Sequence, residues 1–305
     1  MAEQQRVSGV ELWQWRQTAR EAALAAEVSL VEVDWLLQEL AGLDSLALRL
    51  ETFKKWSQVQ LQLPLQELDC LWQQRLYERL PVQYIAKVAT WRKFKVAVSP
   101  AVLIPRPETE DLIDLAVAAI RNSCNTKLER GHWVDLGTGS GVIALGLADA
   151  FTEATIHAVD RSSTALEIAQ KNADNLGFAK RIHFYQGSWW EPLESLKGQI
   201  SGLVANPPYI PSSLVPQLQP EVAHEPHLAL DGGADGLDCI RYLVETSPAY
   251  LQPGGVWLIE MMAGQSEAVS NLLQNQGSYC NITTHSDLAG IERFALAYRS
   301  ARETR

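Results

Sequence analysis

The chain has 305 residues, of which 47% are hydrophobic and 20% charged, a composition typical of globular proteins with a sizeable core. Its net charge of −10 argues against a protein that binds nucleic acid mainly through phosphate contacts. The N-terminus lacks the apolar run of a signal peptide, and no stretch reaches the ~18 apolar residues of a membrane helix. We therefore expect a soluble, cytoplasmic protein without membrane contact.

The cysteines and histidines indicate no metal site. The four cysteines form no Cys-x-x-Cys pair, so they predict neither a disulfide framework nor a zinc site: Cys70, Cys124, Cys239 and Cys280. The six histidines show no ligand spacing either.

Residues 1 to about 88 have the pattern of a small helical bundle. Apolar residues recur at helical spacing in "ELWQWRQTAREAALAA", "LVEVDWLLQELAGL" and "LQELDCLWQQRLYERL", and Pro64 and Pro81 mark breaks. Four or five short helices are expected. Five tryptophans are expected to pack in their core: Trp13, Trp15, Trp35, Trp56 and Trp72.

The pattern changes near residue 89. "WRKFKVAVSP" alternates like a strand, and "AVLIPRPETEDLIDLAVAAI" leads from an extended segment into an amphipathic helix. Strands and helices then alternate, which predicts a mostly parallel sheet with helices on both faces. The expected strands are "HWVDLG", "ATIHAVD", "RIHFYQG", "SGLVAN", "GGVWLIE", "CNITTHSD" and "ERFALAYR".

A glycine loop follows the first of these strands. "VDLGTGSGVIAL" places Gly137, Gly139 and Gly141 between a strand and a helix, where the backbone must turn sharply and admit a ligand to its N–H groups. The third glycine of the dinucleotide fingerprint is replaced by Val142. Asp160 ends the next strand, where doubly wound folds place a carboxylate for ribose hydroxyls. A ribose-containing cofactor without a pyrophosphate is indicated, and S-adenosylmethionine fits best.

The stretch "LVANPPYIP" ends a buried strand in a stiff turn. An amide or amine nitrogen conjugated to a carbonyl or ring is a poor nucleophile, so a methyltransferase must hold and orient it. The side-chain oxygen of Asn206 and the carbonyl of Pro207 can each accept one of its N–H groups, and Tyr209 offers a flat face. The alternative is a simple proline-rich turn.

These motifs together resemble the HemK/PrmC family of protein-(glutamine-N5) methyltransferases, which act on the Gly-Gly-Gln motif of class I peptide-chain release factors. The resemblance runs from about Pro81 to Arg293. It rests on "PVQYI", "LIPRPETE", "VDLGTGSG", "VANPPYI", "EPHLALDGGADGL" and "DLAGIERFALA". One departure is "EMMAGQ", where a smaller, glycine-rich run is expected after Glu260 and where packing near the cofactor could differ.

The resemblance implies a class I, Rossmann-like methyltransferase domain with a seven-stranded, mostly parallel sheet, preceded by an all-α domain. Residues 1–88 would be the helical substrate-recognition domain, 89–107 a β-hairpin and linker, and 108–305 the catalytic domain. S-adenosylmethionine, converted to S-adenosyl-L-homocysteine, would be held by Gly137, Thr138, Gly139, Ser140, Gly141, Asp160, Trp189, Asn206 and Thr109.

The same resemblance implies that Asn206, Pro207, Pro208 and Tyr209 bind the substrate glutamine, with Asn206, Pro207 and Tyr209 catalytic. Whether Trp189 or Trp190 faces the cofactor stays open. Arg106 is either a substrate contact or one side of a salt bridge that fixes its loop, and Glu225 and His227 are weaker candidates.

Two other functions remain as alternatives. An adenine-N6 methyltransferase on DNA or RNA shares the Asn-Pro-Pro-Tyr motif, but the acidic charge does not favour it. An inactive cofactor-binding interaction module is the third reading, although a dead site has no chemical reason to keep the motif. We expect a monomer that binds release factors, no nucleic acid and no metal, and that modulates translation termination.

Overall fold

The computed structural model describes residues 5–121 and 126–301, so that Cys124 lies outside the described residues. The chain divides into two compact units. The first contains residues 1–88 and 219–224, and the second contains residues 89–218 and 225–305. None of the helices within the described ranges is long and apolar enough to span a membrane.

The first unit is built from short helices. They are α1 (Gly9–Ala25), α2 (Leu30–Ala41), α3 (Ser45–Leu50), α4 (Leu65–Tyr77) and α5 (Val82–Ala86). Pro64 and Pro81 immediately precede α4 and α5, as the sequence pattern predicts. Strands β1 (Gln5–Val7) and β2 (Val59–Leu61) form a short antiparallel pair that the pattern does not predict.

The tryptophans of this unit differ in burial. Trp72 and Trp15 are buried in the core, while Trp13 and Trp35 pack on its margin. The expectation for Trp56 is wrong, because its side chain is 44% exposed. Trp56 ends a 3₁₀ turn, and its backbone carbonyl, rather than its ring, is engaged by the N–H of Gly9.

The second unit begins with a hairpin and continues as alternating strands and helices. Its helices are α6 (Asp111–Arg121), α7 (Val142–Ala150), α8 (Ser163–Leu176), α9 (Asp238–Thr246) and α10 (Ser266–Gln276). Its strands are β3 (Val88–Trp91), β4 (Phe94–Ala97), β5 (His132–Leu136), β6 (Thr155–Asp160), β7 (Ile182–Gln186), β8 (Ile200–Ala205), β9 (Leu251–Glu260), β10 (Tyr279–Ser286) and β11 (Glu292–Arg299).

Strands β5 to β11 form one seven-stranded sheet in the order β10-β11-β9-β8-β5-β6-β7. β11 runs antiparallel to its two neighbours, β9 and β10, and the other pairs of neighbouring strands in this sheet are parallel. The expected seven-stranded, mostly parallel sheet is therefore confirmed. Its central strands β5 and β8 are buried apolar runs, which is typical of a parallel sheet covered on both faces.

This topology places the functional motifs together. The chain runs from β5 outward through β6 and β7, and then returns to β8 on the other side of β5. The carboxyl ends of β5 and β8 thus flank the switch point of the sheet, where open α/β folds bind ligands. The glycine loop follows β5 and Asn206 follows β8, so both meet at this edge.

Candidate active site

A cavity of about 320 Å³ opens at the carboxyl edge of the sheet in the second unit. A volume of this order suits a small organic ligand. The lining comes from the segment before α6, the loops after β5, β6, β7 and β8, and the start of α9. It comprises Ala101, Val102, Leu103, Gly137, Gly139, Val159, Asp160, Arg161, Ser162, Ala165, Gly187, Ser188, Trp189, Asn206, Pro208, Pro226, Leu228, Ala229, Asp231 and Cys239.

The glycine loop adopts the conformation that its sequence favours. Gly137, Gly139 and Gly141 have φ values of +79°, +53° and +86°, which residues with side chains rarely adopt. A Cβ on Gly139 would meet no atom within 4 Å. The loop therefore leaves open space beside its backbone, as a ligand cradle requires.

Asp135, whose role the sequence does not predict, fixes this loop from the buried side. Its Oδ2 accepts the Thr138 hydroxyl at 2.5 Å and the Ala144 N–H, in the first turn of α7, at 3.0 Å. Its Oδ1 is buried without a partner in the described structure. Burial raises the pKa of Asp135 from 3.8 to about 7.

Asn172 is a second residue that sequence analysis missed. Its amide on α8 donates to the carbonyls of Ser140 and Ala97, and its oxygen accepts the N–H of Ala97. The side chain thereby connects the glycine loop to the end of β4. No local sequence signal marks this role, because the partners lie 32 and 75 positions away.

Asp160 lies at the end of β6 and also lines the cavity. Its Oδ2 accepts the N–H of Gly139 at 2.9 Å, and its Oδ1 accepts the N–H of Ser162 at 2.9 Å. These bonds fix the carboxylate against the glycine loop, and each oxygen keeps a further lone pair for a ligand.

The two adjacent tryptophans have different surroundings. Trp190 is 1% exposed and stacks on Tyr250, with ring centroids 4.4 Å apart. Trp189 lines the cavity, where its ring lies near the position that a Cβ of Gly137 would take. Its φ of +52° lies in the left-handed region, an uncommon conformation for a bulky residue. Trp189 is thus the tryptophan that faces the cavity.

Asn206 lies at the end of β8 with its side chain half-buried. Its Nδ2 donates to Thr109 Oγ1 at 3.2 Å. Within the described residues, its Oδ1 accepts no hydrogen bond. The amide is therefore anchored by its nitrogen, and its oxygen is available as an acceptor.

Thr109, Tyr209 and Glu260 meet behind Asn206. Glu260 ends β9 and is 2% exposed; its carboxylate accepts the Thr109 hydroxyl at 2.7 Å and the Tyr209 hydroxyl at 2.9 Å. Burial, reinforced by this carboxylate, raises the pKa of Tyr209, which keeps its hydroxyl protonated as a donor. Sequence analysis missed the role of Glu260, whose partner Thr109 lies 151 positions away.

The glycine-rich segment 231–236 supports the Asn-Pro-Pro-Tyr turn. The N–H of Gly232 donates to the carbonyl of Ile210 at 2.8 Å. A Cβ on Gly232 would lie 2.8 Å from the Pro208 carbonyl oxygen and from the Tyr209 Cα. Gln265 donates through Nε2 to the Tyr209 carbonyl at 3.0 Å. The turn is therefore held by close backbone packing that only glycine permits.

The departure at "EMMAGQ" lies beside this support. Met261 is fully buried in the core, while Met262 is half-buried, and neither residue lines the cavity.

Arg106 forms a salt bridge. Its Nη2 lies 2.8 and 2.7 Å from the two carboxylate oxygens of Glu225. Burial raises the pKa of Glu225, and the neighbouring guanidinium opposes that rise. His227 is largely exposed and lies 3.9 Å from Asp231.

The described residues contain no group of three or more His, Cys, Asp or Glu side chains arranged to hold a metal ion. Three histidines do share adjacent strands. His132 bonds His157 at 2.9 Å, and His157 bonds the Tyr185 hydroxyl at 3.1 Å and stacks on His183. Burial, together with the other two histidines, lowers the pKa of His157 to about 4, so His157 is neutral near pH 7.

The residues expected to bind a cofactor divide into two groups. Gly137, Gly139, Asp160, Trp189 and Asn206 line the cavity. Thr138, Ser140, Gly141 and Thr109 do not line it. Their recorded contacts instead fix the glycine loop, the start of α7 and the Asn206 side chain. Their roles as direct ligands remain predictions.

Known proteins resemble this chain over nearly its whole length. A family model described as a methyltransferase domain matches residues 129–287. The release factor glutamine methyltransferase of Synechocystis sp. is 50% identical over 292 residues, covering 95% of this chain and 97% of the relative. Those of Thermosynechococcus vestitus and Gloeobacter violaceus are 47% and 40% identical, covering 93% and 94% of this chain and 96% and 97% of the relatives.

Among solved structures, the chain resembles the catalytic domain of hMettl16 in complex with MAT2A 3′UTR hairpin 6. The TM-score is 0.54 and the identity is 16%, and the match covers 68% of this chain and 76% of that one. At this identity the likeness concerns the fold. Together with the family model, it confirms the expected Rossmann-like methyltransferase domain.

Fold and family model define this protein as a methyltransferase. The three relatives, 40–50% identical over most of both chains, then show the particular family. The chain belongs to the family of release factor glutamine methyltransferases.

Proposed function

We propose that this enzyme transfers a methyl group from S-adenosyl-L-methionine to the side-chain amide nitrogen of the glutamine in the Gly-Gly-Gln motif of class I release factors. The observation that carries the proposal is the Asn206 amide, which is anchored by its nitrogen and presents an unused oxygen beside the cavity. The names of the relatives supply the substrate.

The residues around the cavity fit the cofactor. Gly137 and Gly139 leave room for it, the Asp160 carboxylate suits the ribose hydroxyls, and the Trp189 ring suits the adenine face. When bound there, S-adenosylmethionine supplies a methyl group on a positively charged sulfur and leaves as the neutral thioether S-adenosyl-L-homocysteine.

The chain's own residues orient the acceptor nitrogen. Asn206 Oδ1 accepts one N–H of the substrate amide and the Pro207 carbonyl accepts the other, which aims the nitrogen and stabilises the positive charge that develops on it. The ring of Tyr209 packs against the planar amide. No strong base is needed, because the N–H becomes acidic once the methyl group has been transferred.

The first unit is proposed to recognise the release factor as a folded protein. A glutamine amide offers few atoms for selection, so contacts beyond the pocket are physically expected for specificity. We also propose that the reaction takes place in the cytoplasm, because translation termination does. Nothing in the proposal requires more than a monomer.

The test is methyl transfer followed by peptide mass spectrometry. The purified enzyme and S-adenosylmethionine receive a class I release factor in one series and adenine-containing DNA or RNA in another. We expect one methyl on the Gly-Gly-Gln glutamine and a loss of about 100-fold or more in Asn206→Ala, since orientation alone supplies effects of this size.

The matched control is Ser213→Ala, an exposed position a few residues along the same loop. It should retain wild-type transfer. A methylated adenine with an unmodified release factor would overturn the proposal and support the adenine-N6 reading. Cofactor binding without transfer to either acceptor would support the reading as an inactive module.

A further inference from the structure

Glu260 is a buried carboxylate next to the residues proposed to hold the substrate, yet it does not line the cavity. Its two oxygens each accept one hydroxyl, from Thr109 at 2.7 Å and from Tyr209 at 2.9 Å. Burial raises the pKa of Glu260, and the hydrogen bonds from Thr109 and Tyr209 oppose that rise. In its ionised form the carboxylate accepts hydrogen bonds and donates none, so both hydroxyl protons then point towards Glu260.

The direction of the Thr109–Glu260 hydrogen bond determines how Thr109 can bind Asn206. Because its only hydroxyl proton goes to Glu260, Thr109 Oγ1 faces Asn206 purely as an acceptor. Asn206 must then turn its Nδ2 towards Thr109, at the observed 3.2 Å, and its Oδ1 away. The reversed amide would place two acceptors against each other.

We propose that Glu260 is a positioning residue that sets the orientation of the Asn206 amide through the Thr109 hydroxyl. This inference rests on the proposed function, in which the oxygen of Asn206 must face the substrate nitrogen. A reversed Asn206 would present N–H groups to the N–H groups of the substrate amide, and the transfer reaction would lose its orienting acceptor.

A purely structural role makes a different prediction. If Glu260 served only to fill and anchor the end of β9, a glutamine of nearly identical shape would preserve it. Glu260→Gln keeps the volume of the side chain but changes its hydrogen bonding, since glutamine has one acceptor oxygen and one donor group where glutamate has two acceptor oxygens.

The hydrogen bonds favour one arrangement in Glu260→Gln. The glutamine oxygen accepts the Tyr209 hydroxyl and its amide donates to Thr109 Oγ1, which frees the Thr109 proton to be donated to Asn206 Oδ1 and so favours the reversed Asn206 amide. The other arrangement would leave the buried Tyr209 proton without its acceptor, which is costly. We therefore expect Glu260→Gln to reverse the Asn206 amide without disturbing the fold.

The experiment compares the wild type with Glu260→Gln, Thr109→Val and the double variant. We expect kcat for the release factor to fall about 100-fold in Glu260→Gln, with little change in melting temperature or in calorimetric affinity for S-adenosyl-L-homocysteine. Thr109→Val removes the hydroxyl, so that Asn206 is no longer held in either orientation. Its kcat should therefore fall by less than that of Glu260→Gln. The double variant should therefore regain about tenfold over Glu260→Gln.

The control for the loss of a carboxylate is Glu292→Gln, an exposed position on the neighbouring strand β11, which should retain wild-type kcat. A second readout does not depend on activity. In protein labelled at asparagine amides and threonine methyls, the Asn206 Nδ2 protons should show a nuclear Overhauser effect to the Thr109 methyl, which should weaken in Glu260→Gln.

Wild-type kcat in Glu260→Gln, a further loss in the double variant, or an unchanged Overhauser effect would each overturn the inference. Failure of the proposed function is distinguishable, because the wild type would then leave the release factor unmodified before any variant is compared.

Discussion

Asp135 is a fully buried carboxylate beneath the glycine loop, and its protonation couples folding to pH. Burial raises its pKa from 3.8 to about 7 in the folded chain. Between these values the folded protein holds a proton that the unfolded chain releases, so the free energy of unfolding decreases as pH rises from about 4 to 7 and then levels off.

Asp135→Asn should remove this dependence, because an asparagine oxygen can accept the same two hydrogen bonds without ionising. We expect the variant to gain on the order of a few kcal/mol over the wild type at pH 8 and to match it near pH 4. Denaturant unfolding at pH 4.5, 6 and 8 measures the difference. Asp174→Asn, on the exposed face of α8, is the control. A difference that does not change with pH would contradict the prediction.

At the scale of single residues, the sequence predicts those functional residues that lie in short, recognisable motifs. Asn206 and the glycines lie in short motifs directly after strands, so the topology alone brings them to one edge of the sheet. Asn172 and Glu260 carry no such signal, because their partners are distant in sequence. The partners of Asp135 lie only three and nine positions away, but its role depends on its burial beneath the loop, which the sequence does not show.

At the scale of elements, the close packing of two loops determines where the substrate nitrogen can lie. The turn at residues 206–209 packs on the glycine-rich segment 231–236, and Gln265 donates a hydrogen bond to it. The sequence predicts both loops as motifs, but it does not show that one supports the other. That relation appears only in the folded structure, where Ile210 and Asp231 form a bridge between the two loops.

Gly232→Ala tests this support. The added Cβ would lie 2.7 Å from the Gly236 carbonyl oxygen and 2.8 Å from both the Pro208 oxygen and the Tyr209 Cα, all of them backbone atoms. The turn must shift, and we expect kcat to fall about 100-fold, since displacements near 1 Å have effects of this size. Steady-state kinetics with the release factor measures the loss.

Gly277→Ala is the matched control for this glycine substitution. Gly277 ends α10 with φ of +77° and has open space around it, so alanine should cost about 1 kcal/mol of stability and leave activity intact. If Gly232→Ala lowered stability by a similar amount and kept its kcat, the support would be structural only.

At the scale of the whole molecule, the two units are joined by more than one stretch of chain. The chain leaves the second unit after Leu218, contributes residues 219–224 to the first unit, and returns at Glu225. The sequence predicts a boundary near residue 88 from a change of periodicity. The sequence does not predict that residues 219–224 belong to the first unit, because this depends on ion pairs and not on a change in composition.

Arg75 holds this excursion in the first unit. Its side chain is 8% exposed and pairs with Glu32 at 2.6 Å and with Glu221 at 2.8 Å, and nearby the carbonyl of Glu78 bonds His224.

Arg75→Met keeps most of the volume but leaves both carboxylates unpaired. We expect the free energy of unfolding to fall by about 3 kcal/mol, as for other broken, largely buried pairs. Segment 219–224 should also become open to proteases. Denaturant titration and limited proteolysis with mass mapping measure both effects, and Arg49→Met, at an exposed position on α3, is the control. Unchanged cleavage in this segment would show that the ion pairs do not hold it, and the loss of stability would then belong to α2 and α4 alone.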